Sequence, residues 1–175
     1  MRKLNRALVA AAFCAVATVQ AADVKVDYVN QKKFTDIKPA NEPRGSFEKR
    51  TLAGFDKIFA DLAAKLPEGY VWKITVTDID LAGDVNYMFT QSGQDIRVIK
   101  EIFAPRVNFS YQLLDKSQKV VLTEELKLRD MAFMSRTHLN RSQVLSYERE
   151  MLERWFKEKF EPAFVAATST SSTAG

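Results

Sequence analysis

The chain has 175 residues, 26 basic and 22 acidic side chains and one cysteine, which suits one domain with a sizeable core. The first 21 residues hold three of the basic side chains and no acidic one, so the net charge falls from +4 to +1 without them. A nearly neutral domain lacks the strong basic field of a protein that binds nucleic acid or anionic membranes.

Residues 1–21 have the pattern of a secretory signal peptide. A basic start, an apolar run from Ala7 to Val19 and small residues before a cleavage site after Ala21 are its three parts. The run is shorter than the roughly 20 apolar residues that span a bilayer. Phe13 precedes Cys14, where a lipoprotein signal needs a small residue, so we expect an exported, soluble protein without a lipid anchor. Cleavage also removes the only cysteine, which excludes internal disulfides and thiolate sites.

Residues 22–166 are predicted to form a single α+β domain. Val24, Val26 and Tyr28 alternate with polar residues, as in a half-buried strand. After a loop that contains several prolines, Ser46 can cap a helix whose apolar positions recur every three or four residues. Pro67 predicts that this helix ends just before it.

Strand signals resume at Tyr70, with a weaker apolar stretch at Ile96–Phe103. Two alternating runs, residues 107–113 and 120–128, flank a polar turn and predict a β-hairpin.

The last predicted element is an amphipathic helix that begins near Val144 and carries a dense apolar face. Asn140 and Gln143 could form its capping pair, and Pro162 predicts its end. The small polar residues 167–175 have no periodicity and predict a disordered tail rich in serine and threonine.

The predicted order of elements is β-α-β-β-β-β-α. Only the first step between strands has room for a helical crossover. We therefore expect a mostly antiparallel sheet of about five strands with two amphipathic helices packed on one face.

Three carboxylates follow the strand that begins at Tyr70: Asp78, Asp80 and Asp84. The apolar positions are even-numbered up to Val76 and odd-numbered from Ile79 onward. Such a change of phase predicts a β-bulge or sharp bend near Thr77. Because two unpaired buried carboxylates would cost several kcal/mol each, we expect Asp78 and Asp80 to turn outward or toward backbone N–H groups.

Alternatively, these carboxylates could bind a hard cation such as calcium or magnesium, with Asp36 or Asp130 completing the set of oxygen ligands. An EF-hand loop is excluded because Ala82 and Phe89 occupy ligand positions. A general acid–base pair needs two carboxylates in different environments around a cleft, which the sequence does not indicate.

Other candidate residues give weaker signals. His138 is the sole histidine and cannot form a zinc site without further ligands. Arg97 and Arg106 flank central strands, where they could bind an anion or pair with Asp78 or Asp80. The sequence contains no nucleophile elbow and no glycine-rich phosphate loop, so no catalytic residue and no cofactor is predicted.

The run TDIDLAGD, Thr77–Asp84, resembles the signature of a bacterial family called domain of unknown function 3016. Further pieces occur in the order expected for that family: Phe34-Thr35-Asp36, Asp95-Ile96-Arg97-Val98, Pro105-Arg106, Tyr111, Asp130-Met131, Tyr147-Glu148 and Trp155-Phe156. The resemblance implies an export signal and a Gram-negative source, and therefore a periplasmic location. It implies no activity.

The leading hypothesis is a non-catalytic binding or accessory module of the cell envelope that binds an envelope protein or a small ligand. Its predicted recognition surface consists of Asp78, Asp80, Asp84, Arg97 and Arg106. One alternative is a divalent-metal-dependent enzyme built on an acidic cluster: Asp36, Asp78, Asp80 and Asp130. The other is a structural protein that acts as a homo-oligomer.

Overall fold

The computed structural model describes residues 22–86, 95–136 and 145–171, with side chains described as far as Phe160 and without that of Asn86. The strands are β1 Asp23–Tyr28, β2 Val71–Asp80, β3 Asp84–Asn86, β4 Ile96–Val98, β5 Arg106–Leu114 and β6 Val120–Arg129. The helices are α1 Arg44–Ala63 and α2 Ser146–Ser171, with short 3-10 turns at Gln31–Lys33 and Phe133–Ser135.

The main sheet has four strands in the order β1-β2-β5-β6, and β3 pairs with β4 in a separate two-stranded sheet. Strand β1 runs parallel to β2, because α1 forms the crossover between them, and the other pairs are antiparallel. The α+β class is confirmed, and so is the hairpin, which β5 and β6 form. The single sheet of about five strands is corrected to a mixed sheet of four plus a small pair. Strands β3 and β4 have three residues each, too few to show an alternation in the sequence.

The predicted helix boundaries need small corrections. Helix α1 begins at Arg44 and not after Ser46, because the carbonyl of Pro43 already accepts the N–H groups of Ser46 and Phe47. The predicted end at Pro162 is wrong, because helix α2 continues through this residue although an interior proline removes one backbone hydrogen bond. The last residues of α2, 167–171, belong to the segment that the sequence predicts as a disordered tail. The disorder of that tail stays a prediction. The predicted capping residues Asn140 and Gln143 lie outside the described residues.

The core lies on one face of the main sheet, under both helices, as predicted. Trp72 of β2 is fully buried, and its ring lies 5.9 Å from that of Phe59 in α1 and 5.6 Å from that of Phe156 in α2. Burying a large apolar side chain contributes about 1.5–3 kcal/mol. No helix in the described part of the chain is both long and apolar enough to cross a membrane.

Candidate functional site

Strand β2 contains a β-bulge at Thr77. Val76 pairs with Phe109 and Asp78 pairs with Asn108, so Thr77 has no partner of its own in the ladder. Beyond the bulge Ile79 is fully buried, whereas Asp78 turns away from the core. The predicted change of phase and its cause are therefore confirmed.

Asp78 binds the loop that precedes α1. Its Oδ1 accepts the backbone N–H of Thr35 at 2.7 Å, and its Oδ2 accepts the Thr35 hydroxyl at 2.8 Å. The next residue, Asp36, forms an isolated parallel bridge with Asp80, through its N–H to the carbonyl of Ile79. These bonds attach the loop to the end of β2, and they confirm that Asp78 turns toward a backbone N–H group.

Arg106 of β5 lies opposite Asp80 in the ladder. Its Nη2 is 3.1 Å from Oδ2 of Asp80 and 3.8 Å from Oδ2 of Asp78. Burial raises the pKa of Asp80 above its usual value; the positive charge of Arg106 opposes this rise, and the negative charges of Asp36 and Asp78 add to it. Arg106 therefore pairs with the carboxylates suggested by the sequence.

Arg97 of β4 has a different partner. Its Nη1 lies 2.8 Å from Oδ2 of the buried Asp36, and its guanidinium donates to the carbonyls of Ala82, Gly83 and Lys38. Arg97 thus clamps the turn after β2 onto the loop at Lys38.

The turn itself requires glycine at position 83. Gly83 has φ of +80°, and a Cβ atom there would lie 2.6 Å from the carbonyl oxygen of Val98. A side chain at Gly83 would therefore push β4 away from the turn.

Asp84 stands apart from the ion pairs. It begins β3, is partly exposed and forms no ion pair with the described residues. Together with Asp80 and the exposed Ile102 it lines a shallow groove of about 240 Å³. The five residues predicted as a recognition surface thus lie around one bend, with Arg97 directed inward to Asp36. Their recognition role stays a prediction.

The acidic residues proposed for a metal enzyme already have partners within the protein. Asp130 is buried and pairs with Arg154 at 2.7 Å and with Arg136. Burial alone would raise the pKa of Asp130, but hydrogen bonds from the two arginines outweigh burial and hold it below its usual value. Within the described ranges, no three acidic or histidine side chains are grouped so that they could hold a metal ion. His138 lies outside those ranges.

Sequence reasoning missed the buried carboxyl of Glu148 as a site residue. Glu148 lies in the first turn of α2, is 3% exposed, and accepts the N–H of Ala82 at 2.7 Å. Burial raises its pKa, and nearby Asp36 adds to the rise, while the N–H donors and the charge of Arg97 oppose it. A signal existed: Glu148 is three and four residues before the buried Met151 and Leu152, on the apolar face of α2.

Beside Glu148 the bend, α1 and α2 enclose a cleft of about 250 Å³. Six residues of its lining are apolar or aromatic: Phe47, Leu81, Ala82, Ile99, Leu145 and Tyr147. The other four are polar or charged: Thr51, Arg97, Ser146 and Glu148. Gly54 contributes to its shape, because a Cβ atom there would lie 2.6 Å from Cδ1 of Leu145.

Thr51 is the unusual residue of this cleft. It is fully buried in the middle of α1, and its Oγ1 has no hydrogen-bond partner. A threonine in a helix commonly satisfies its hydroxyl on the carbonyl four residues earlier, which Thr51 does not do. Among the described residues four buried side-chain atoms lack a partner, and Thr51 is the one of these four residues that also lines the cleft.

Comparison with protein families identifies the chain. The model of the family described as protein of unknown function DUF3016 matches residues 22–158, so the chain belongs to that family. The resemblance seen in Thr77–Asp84 is therefore confirmed. Comparisons with curated proteins and with solved structures found no match.

Proposed function

We propose that this protein is a non-catalytic binding module of the periplasm that holds a small molecule in the cleft between the bend and the two helices. The observation that carries the proposal is the apolar cleft itself, together with Thr51, a residue of its lining whose buried hydroxyl has no partner. A buried polar group without a partner costs about 1–3 kcal/mol. A ligand that forms a hydrogen bond with Thr51 would explain why a polar residue occupies a position where it lowers the stability of the fold.

The lining of the cleft also favours a ligand. Binding sites for small molecules are mostly apolar concavities with a few polar groups directed at the ligand. Thr51 and Glu148 supply such groups, and Leu81 and Ile99 supply apolar walls.

The contacts of these polar groups favour binding over catalysis. A nucleophile needs a base within hydrogen-bond reach. Glu148 accepts a hydrogen bond from the backbone of Ala82, and no described hydrogen bond joins it to Thr51 or Ser146. The carboxyl of Glu148 therefore activates neither the Thr51 nor the Ser146 hydroxyl in this arrangement.

The periplasmic location rests on the pattern of residues 1–21. We expect the protein in the periplasmic fraction of its host, with Ala22 as its first residue. N-terminal sequencing of the purified protein tests this, and a retained Met1 in the cytosolic fraction would contradict it.

Blocking the cleft tests the binding function. Ser146 lies at the start of α2 in the cleft lining and is partly exposed, so Ser146→Phe fills the space from its rim. We expect native mass spectrometry of the exported protein, incubated with envelope extract, to show a bound small molecule on the wild type and not on Ser146→Phe.

A matched control is Ser110→Phe, on the polar face of the main sheet away from the helices. The control should keep the ligand, and both variants should keep the melting temperature of the wild type within a few degrees. Absence of any bound molecule, or equal binding by Ser146→Phe, would overturn the proposed function.

A further inference from the structure

We infer that the free edge of strand β6 binds the same edge of a second copy of this chain, in an antiparallel pair centred on Leu126. In the described part of the chain, β6 pairs with β5 on one side and with no strand on the other. Every second residue of such an edge presents an unpaired N–H and C=O, which makes the edge a template for another strand. This inference concerns assembly and does not depend on the ligand cleft.

Strand β6 is the longer of the two edge strands of the main sheet. It has ten residues, whereas β1 at the other edge has six, so β6 offers more hydrogen bonds to a partner. Proteins commonly protect a long edge with charged residues, lysine above all. Lys127 has this position in β6, but Glu125 lies two residues before it on the same exposed face. The edge therefore carries both signs of charge.

Glu125 and Lys127 form no ion pair with the described residues. Their neighbours across the ladder in β5 are Ser110 and Asn108, which are uncharged. The charges of the other edge strand, by contrast, already pair with each other within β1 at 3.4 Å. The edge with free charges is therefore the edge of β6.

One antiparallel register pairs these charges in both copies. Residues directly opposite each other in an antiparallel pair lie on the same face of the sheet. A two-fold axis at Leu126 therefore places Glu125 of each copy opposite Lys127 of the other. Opposite charges across a ladder stabilise it and like charges destabilise it. An axis at Glu125 or at Lys127 would instead place that residue opposite its own copy.

The apolar residues of β6 fit the same register. Leu122, Leu126 and Leu128 are only partly buried against the core, and the axis brings Leu126 against its own copy. Near the two ends of the edge, Val121 is 49% exposed and Met131 is 61% exposed. Because both are equally far along the chain from Leu126, the axis brings Val121 of one copy towards Met131 of the other. Their contact removes apolar surface from water.

The resulting dimer has one continuous sheet of eight strands, because each copy contributes four. The axis is perpendicular to the sheet, so the helices of both copies lie on the same face. Such an interface is self-complementary, as in other two-fold dimers, and it leaves neither β6 edge unpaired.

Charge reversal along β6 tests this contact. Sedimentation equilibrium of the mature protein should show a dimer with a dissociation constant in the micromolar range, since one pair of strands is a small interface. Glu125→Lys and Lys127→Glu each place like charges opposite one another twice, so each should raise that dissociation constant at least about tenfold. The double variant exchanges the two charges and should dimerise within about threefold of the wild type.

Lys73→Glu is the matched control for Lys127→Glu. Lys73 is an exposed lysine on the same face of the sheet, but in the interior strand β2, and its reversal changes the net charge equally. The control should dimerise as the wild type does, and so should Ser146→Phe, which alters the cleft.

Three outcomes would overturn the inference. The first is a protein that stays monomeric throughout the micromolar range. The second is a dimer that either single reversal leaves unchanged, and the third is a loss of the dimer that the double variant does not restore. None of these outcomes bears on ligand binding, which the extract experiment decides.

Discussion

Two buried carboxyls, those of Asp130 and Glu148, show how the partners of a residue determine the direction in which its pKa shifts. Asp130 is 4% exposed and Glu148 is 3% exposed, so both lose most of their hydration. Asp130 has two arginines within reach, and its pKa is lowered. Glu148 has a backbone N–H but no arginine bonded to it, and burial raises its pKa. The two pKa values thus shift in opposite directions, because only Asp130 has cationic partners that outweigh its burial.

The raised pKa of Glu148 predicts how stability depends on pH. Because the folded state binds the proton of Glu148 more tightly than the unfolded state does, protonation of this carboxyl stabilises the folded protein. This contribution is complete below the ordinary pKa of 4.5 and is lost as pH rises through the pKa of the folded state. Arg97 and Asp36 are the charged groups that contribute at this position. We expect Glu148→Gln, which stays neutral, to gain stability relative to the wild type as pH increases above that value.

Urea unfolding of both proteins at several pH values, from mildly acidic to mildly alkaline, measures this difference. A difference in the free energy of unfolding that stays constant across the series would show that Glu148 is charged in the folded protein.

Asp130 has the opposite dependence. Because its pKa is lowered in the folded state, the ionised carboxylate stabilises the folded protein. This contribution is complete above the ordinary pKa of 3.8 and is lost as pH falls through the pKa of the folded state. Asp130→Asn leaves Arg136 and Arg154 without their carboxylate. We expect a loss of about 2–3 kcal/mol in the free energy of unfolding at neutral pH, less than for a fully buried pair because both arginines are about one-third exposed.

Asp61→Asn is the matched control for Asp130→Asn. Its side chain is 44% exposed and pairs with Arg149 at 2.8 Å, so its loss should stay below about 1 kcal/mol. Equal losses in the two variants would contradict the different roles assigned to the two pairs.

At the level of elements, the bulge in β2 determines the shape of the site. It turns Asp78 toward Thr35 and lets Ile79 return to the core. The sequence predicts this element because the alternation of apolar residues is local, as it also is in the β5–β6 hairpin. It could not predict the pairs Arg97–Asp36 and Glu148–Ala82, which are 61 and 66 residues apart and depend on how separate elements pack.

The function of Asp78 as an anchor for the loop can be measured directly. Asp78→Ala removes the acceptor of two hydrogen bonds from Thr35, so we expect the free energy of unfolding to fall by about 1–2 kcal/mol. Asp27→Ala is the control, because its side chain is 58% exposed in a pair with Lys25 and should cost less than about 0.5 kcal/mol. Equal costs would show that the anchor contributes nothing.

Divalent cations provide a second test of the bend. Asp36, Asp78 and Asp80 already have arginine or Thr35 partners. We therefore expect micromolar calcium or magnesium to leave the melting temperature nearly unchanged. A sharp rise, lost in Asp78→Asn, would support the alternative of a metal-dependent enzyme.

At the level of the whole molecule, the two helices and the bend meet at the cleft, next to the buried core under the helices. The sequence predicts the α+β class and the covered face of the sheet, since both depend on regular apolar patterns. It did not predict the cleft. Thr51 falls within the apolar stripe of α1, where nothing in the pattern shows that its hydroxyl stays unpaired. A buried polar group that costs stability is typical of sites that are retained for function.

The most direct test of this account is the free energy of unfolding of Thr51→Val without any ligand. Urea unfolding of the purified mature protein at neutral pH gives the value for the variant and for the wild type. Because the hydroxyl is buried and unpaired, the account predicts that the variant is at least as stable as the wild type, with a gain of up to about 2 kcal/mol. A loss of about 1 kcal/mol or more would show that the hydroxyl serves the fold and would contradict its role in binding.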